Sequence, residues 1–157
     1  MSLAKTLQEK LADWRPDGRQ TLEVAEAGRT ATVSADVNDV VGCKVWEMTI
    51  GRTAAPASPI NVRAWGERVA RDVKGLREPL RLLEVDAGRN VAQLRSEEPA
   101  RRDENVGYYE ALLHGDGSAS VRRYQAPAKG DGKREQVPFA VTHEVLAEVA
   151  DELADAP

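Results

Sequence analysis

A single cysteine, Cys43, stands in the whole chain, so no intramolecular disulfide can form and a cross-linked scaffold is excluded. Histidine is almost as scarce. His114 and His143 are the only two, they fall in different segments, and no His-x-x-x-His pair exists to seat zinc on one helix face. No metal ligands and no cofactor are assigned on this basis. Aromatic residues make up only 4% of the chain, which argues against a surface built to stack nucleic-acid bases. The net charge of −4 argues the same way, since phosphate backbones reward a basic protein, so no nucleic acid is expected as partner. No apolar run approaches the roughly 20 residues that cross a bilayer. The opening Met1-Ser2-Leu3-Ala4-Lys5 runs into charged sequence without an apolar leader, and no Asn-x-Ser/Thr sequon occurs. The expectation is a cytoplasmic protein with no membrane attachment. Frequent Arg and Ala with scarce Ile and Asn suggest a GC-rich, bacterial coding sequence.

Motifs that announce chemistry are also missing. There is no Gly-x-Gly-x-x-Gly for a dinucleotide and no Gly-x-Ser-x-Gly nucleophile elbow. Gly130-Asp131-Gly132-Lys133 has a lysine after glycine, but Arg134 stands where a phosphate-binding loop needs Ser or Thr, so a turn is expected. Asp36-Val37-Asn38-Asp39 opens like a calcium loop with Glu47 at the twelfth position. Val40 and Val41, however, occupy the fifth and sixth positions, where a ligand and a glycine belong. An acidic turn is the expectation. Cys43 lies among Val40, Val41 and Val45, a setting for an inert buried thiol. No catalytic residue is assigned.

What the chain does have is architecture. With 41% hydrophobic residues in 157, one α+β domain over residues 1–157 can build its own core. Leu3, Leu7, Leu11 and Trp14 form one stripe of an amphipathic helix capped by Ser2 and stopped at Pro16-Asp17-Gly18. A two-residue turn at Ala27-Gly28 predicts a hairpin pairing Leu22 with Val33, Val24 with Ala31 and Glu26 with Arg29. A third strand over residues 43–50 should present Trp46, Met48 and Ile50 on one face. A second helix over residues 61–76 carries Val62, Trp65, Val69, Val73 and Leu76, and Pro79 prevents its continuation. Strands at 80–85 and 91–94 flank a turn, and the polar stretch 96–105 with Pro99 reads as a mobile loop. Residues 137–139 offer a short edge strand, because Pro138 cannot donate to a ladder. Thr142 caps a last helix with the stripe Val145, Leu146, Val149 and Leu153.

The order αβββ-αββββ-(β)-α fits an antiparallel sheet with helices packed on one face. Leu22-Glu23-Val24 before Ala27-Gly28-Arg29 and Leu83-Glu84-Val85 before Ala87-Gly88-Arg89 also suggest tandem αβββ units. The element order resembles that of the small αβββ-αββ-α dimeric chaperones that hold secretion substrates. That resemblance rests on element order, assigns no residue, and implies a protein partner or a homodimer.

The longest feature is a hairpin from Val106 to Tyr124. A two-residue turn at Asp116-Gly117 would set Leu112 opposite Val121, Glu110 opposite Arg123 and Tyr109 opposite Tyr124. Alternation then gathers Tyr108, Glu110, His114 and Arg123 on one face, which could offer a phenol, a carboxylate, an imidazole and a guanidinium to a polar ligand. These four are the candidate binding residues, with His114 expected to be exposed beside the turn. The basic run from Arg122 to Arg134 contrasts with an acidic last helix bearing Glu144, Glu148, Asp151, Glu152 and Asp155, and the two could face one another. The expected function is a non-enzymatic protein-interaction or chaperone-like module. The alternative is a small-molecule-binding protein or enzyme using the four-residue face.

Overall fold

The computed structural model describes residues 2–129 and 132–154. Three helices, α1 (Leu3–Asp13), α2 (Val62–Asp72) and α3 (His143–Ala154), lie against one face of an antiparallel sheet. The main strands are β1 (Gln20–Glu26), β2 (Arg29–Asn38), β3 (Gly42–Arg52), β4 (Leu80–Asp86), β5 (Val91–Ser96), β7 (Asn105–His114) and β8 (Ala119–Pro127). Shorter ones are β6 (Ala100–Arg102), β9 (Glu135–Val137) and β10 (Phe139–Thr142). The sheet runs β1-β2-β3-β8-β7-β5-β4, so the α+β class and element order are those the sequence implies. No described helix is long and apolar enough to cross a membrane.

Local chemistry explains most boundaries. Ser2 caps α1 by accepting the Lys5 N–H at 3.1 Å, Asn61 caps α2 through Ala64 N–H, and Thr142 caps α3 through Val145 N–H. The Ala27-Gly28 turn has both residues at positive φ, and its register pairs Leu22 with Val33, Val24 with Ala31 and Glu26 with Arg29. α2 ends at Asp72, short of residue 76, because the chain turns beneath α3 there. A Cβ on Gly75 would lie 2.8 Å from Val149 Cγ2, so only glycine lets the connector pass.

The inner sheet face is one apolar surface, with Val33, Met48, Val121, Ala111 and Leu94 running across it, all essentially without solvent access. Leu7, Leu11, Trp65, Leu146 and Leu153 close over it from the helices. At about 1.5–3 kcal/mol per buried aliphatic or aromatic side chain, this layer supplies the main driving force for folding.

Several expectations require correction. Trp46 does not share a face with Met48 and Ile50. The β2–β3 register shifts between Ser34 and Ala35, and Trp46 is the bulged residue that pairs with neither. The stretch 96–105 is not simply a loop, because Ala100–Arg102 pairs with the start of β7 around a turn at Asp103, whose φ is 55°. The Pro138 segment is no outer edge. β9 pairs with β8 and β10 with β3, so the chain reverses at Pro138 inside a fork where β3 and β8 part. Two αβββ stretches do follow one another, but β1-β2-β3 and β4-β5-β7 advance from opposite sheet edges with parallel strand directions and helices on the same face. No rotation superposes that arrangement.

Candidate functional site

The long hairpin determines which side chains meet. Its loop has three residues, Gly115-Asp116-Gly117, closed by His114 N–H to Ser118 O and Gly117 N–H to His114 O, both at 2.9 Å. Gly117 takes φ 90° and Asp116 Oδ1 accepts Ser118 N–H and Oγ–H. The extra residue is held from outside the hairpin: Gly115 N–H donates to Asn90 O, and Gly115 O accepts from Ile60 N–H. Register therefore moves by one, pairing Glu110 with Arg122, Tyr109 with Arg123, Ala111 with Val121 and Tyr108 with Tyr124. A one-residue slip turns one strand over relative to the other. Tyr108, Glu110 and His114 stay on the open sheet face, while Arg123 points to the helix-covered side. The four candidate residues do not form one site, and His114 is half-buried rather than exposed.

Glu110 is only 6% exposed although no helix covers its face. Its cover is polar: Arg134 Nη1 at 2.6 Å, Gln93 Nε2 at 3.0 Å and Arg95 Nε at 3.4 Å all approach Oε2. Burial opposes the charge, but Arg134, Gln93 and Arg95 outweigh it and hold the carboxyl below its ordinary value. The guanidinium groups also stack. Arg134 lies 3.8 Å from the Tyr124 ring centroid, Arg95 lies 5.0 Å from that of Tyr108, and the two tyrosines stand 6.1 Å apart. Farther along the face, Arg122 pairs with Glu47 and reaches Tyr124 Oη, and Arg19 lies 4.4 Å above the Trp46 ring. On the next outward rung, past Glu47 and away from Trp46, lie the hydroxyls of Thr32, Thr49 and Ser120, the first two hydrogen-bonded to each other.

A depressed carboxyl pKa contributes stability that is complete above the unfolded value and is lost as pH falls through the folded one. Glu110→Gln is therefore expected to cost about 1–2 kcal/mol at neutral pH, since Arg95 and Arg134 are exposed enough to rehydrate. It should also flatten the loss of stability below about pH 4.5, read by urea titrations across the acid range.

On the helix side, Arg123 Nη1 pairs with Glu78 Oε1 at 3.1 Å, and both side chains are nearly buried. Glu78 accepts Ser96 Oγ–H at 2.8 Å, Ser96 Oγ accepts Tyr109 N–H, and the Arg123 guanidinium lies 4.5 Å from the Tyr109 ring centroid. Glu110 and Arg123, expected as partners, each have another.

The other candidates have structural partners. Asp39 Oδ1 accepts Val41 and Gly42 N–H, which makes the calcium-like stretch an Asx turn. His143 is buried, and its Nε2 sits 2.6 Å from Asn38 Oδ1. Asn38 Nδ2 donates to Leu11 O and Trp14 O, so Oδ1 faces the imidazole and Nε2 carries the proton. Burial pushes the Cys43 thiol up to about 12, with Asp39 adding to the shift. Its reaction with a thiol reagent should be at least about tenfold slower in the folded protein than in denaturant. The basic run and the acidic α3 lie apart: Arg134 binds Glu110 on the open face, while Glu144, Glu148 and Asp151 are exposed on the helix layer. Gly130, Asp131 and Asp155 lie outside the described residues.

Sequence reasoning missed Arg95, Arg134, Gln93, Trp46 and Glu47 as members of the open-face cluster. Alternation along β5 places Gln93 and Arg95 outward beside Glu110, a signal that was available. Arg134 enters just before β9, and Trp46 joins through a bulge, and neither carries a periodic signature. A scan against protein-family models and searches of curated proteins and of solved structures each return no match.

Proposed function

We propose that this chain is a non-catalytic protein-interaction module that holds an acidic polypeptide against its open sheet face. The observation that carries this reading is the set of guanidinium–aromatic stacks on that face, Arg134 on Tyr124, Arg95 on Tyr108 and Arg19 on Trp46. Trp, Tyr and Arg are the residues that dominate binding energy at protein interfaces, and here they are ordered before any partner arrives. Within the stacked cluster four guanidinium groups, of Arg19, Arg95, Arg122 and Arg134, stand against two carboxylates, of Glu47 and Glu110, so the cluster is locally positive, with Glu23, Glu84 and Asp86 farther out on the same face. That charge pattern favours an acidic partner and disfavours a second copy of the face. Guanidinium planes already occupy the ring faces, which leaves little room for base stacking.

The reading is tested with a fluorescent poly-L-glutamate of about 20 residues, followed by anisotropy, with a single-stranded oligonucleotide of equal charge as comparator. The expected result is saturable peptide binding that weakens about tenfold in Arg95→Gln/Arg122→Gln and survives in the helix-face variant Glu148→Gln. Binding of the oligonucleotide alone, or self-association that the Arg95→Gln/Arg122→Gln variant abolishes, would overturn it.

A further inference from the structure

We propose that a second, separate site binds the dianionic phosphoryl group of a small phosphomonoester in the cavity at the β6 end of the sheet. This cavity of about 300 Å³ lies on the side opposite Glu110 and is lined by Arg77, Arg102 and Arg123 together with Asn105, Gln125 and Gly107. Its volume is at the lower end of the range for small-ligand sites, roughly 300–1,000 Å³.

Arg123 is the fixed element. Its side chain is only 12% exposed, and the guanidinium is held by Glu78 at 3.1 Å and by the Tyr109 ring. Glu78 is in turn fixed by Ser96, which also takes the Tyr109 N–H. Gly107 leaves the space the guanidinium needs, because a Cβ there would sit 2.9 Å from Arg123 Nη2. Stacked, paired and packed, this side chain presents its remaining donors in one orientation, the pre-organisation that phosphoryl recognition by arginine requires.

Arg77 and Arg102 complete the charge. Both are exposed, and neither forms an ion pair among the described residues. Three guanidinium groups against one carboxylate, Glu78, leave the cavity with two positive charges. A phosphomonoester near neutral pH carries close to two negative charges, whereas a simple carboxylate carries one. The amides of Asn105 and Gln125 add neutral donors for further ligand oxygens. Nothing in the open-face reading depends on this cavity, since the two sites share no residue.

The test uses isothermal titration of the intact protein with inorganic phosphate, with O-phosphoserine, and with serine as the uncharged-side-chain comparator. Saturable one-to-one binding of phosphate or O-phosphoserine, and none of serine, is expected near neutral pH. Arg77→Gln and Arg102→Gln should each weaken it about five- to tenfold, and both together more. These side chains are exposed, so the variants should fold, as circular dichroism would verify. Arg89→Gln, an exposed arginine at the β4–β5 turn, should bind like the parent. Lowering the pH to about 5 removes the second phosphoryl charge and should weaken binding several-fold. Absence of saturation at about 10 mM ligand, loss in Arg89→Gln equal to that in Arg77→Gln, or equal affinity at both pH values would overturn the proposal.

Discussion

Trp65→Ala is expected to destabilise the protein by about 3–5 kcal/mol, a large share of the roughly 5–15 kcal/mol that holds an ordinary domain together. Trp65 is 1% exposed and sits on the buried stripe of α2. Its indole N–H donates to Leu153 O at 3.1 Å, joining the second and third helices across 88 residues of chain. Truncation removes the largest buried side chain and leaves a cavity that the flanking sheet cannot fill, since Ala92 and Leu94 are already packed. Trp65→Phe separates the two contributions. It keeps most of the volume but loses the donor, and about 1–2 kcal/mol is expected. Urea titrations followed by circular dichroism would give both numbers. Equal losses for the two variants would mean that the hydrogen bond, and not the volume, fixes the helix pair.

The second large effect is expected at Asn38. Its side chain alone joins the C-terminal turn of α1, the end of β2 and the first residue of α3, through Leu11 O at 2.8 Å, Trp14 O at 2.5 Å and His143 Nε2 at 2.6 Å. Asn38→Ala leaves the buried imidazole N–H without its partner and takes one donor each from the Leu11 and Trp14 carbonyls, which keep the Trp14 N–H and Arg15 Nη1. A loss of about 1–3 kcal/mol follows from orphaning that N–H and weakening the hold on the end of α1. The same network makes His143 a source of pH dependence. Burial lowers its pKa, Asp39 opposes that shift and Arg15 adds to it. The unfolded state therefore binds the proton more readily. The stability contribution is complete above the ordinary value near 6.5 and falls as pH drops below it towards the folded value. His143→Gln keeps a donor for Asn38 and should flatten the fall in stability as pH drops below about 6.5. A slope unchanged in that variant would assign the dependence to other groups.

Where backbone and pattern agree locally, the fold was legible. The Ala27-Gly28 turn requires two left-handed residues, the flanking alternation fits only one register, and the structure has that register. Helix stripes and caps were legible for the same reason, because each depends on residues a few positions apart. The long hairpin shows the limit. Gly115-Asp116-Gly117 permits either a two- or a three-residue loop, and the choice is made by Asn90 and Ile60, which come from distant segments and hold Gly115 in place. That single choice moved Arg123 to the other face and divided the candidate site. The bulge at Trp46 and the fork around Pro138 are likewise tertiary decisions. The open-face cluster was half legible: Tyr108 and Glu110 were recognised, but their arginines come from β5 and from the segment before β9.

The stacks on the open face also bear on how a partner would leave and arrive. Arg95, Arg122 and Arg134 are 39–44% exposed, so salt screens them from a distance and should slow association more than it speeds dissociation.

Backbone-amide mapping by NMR of the labelled protein, titrated with the poly-L-glutamate probe, locates the bound peptide on the sheet. Shifts are expected to follow the face of Trp46, Arg95, Tyr108, Glu110, Arg122 and Tyr124, with residues of the three helices unmoved. Shifts concentrated on the helix layer, or none at a concentration where the peptide binds, would contradict binding at the open face.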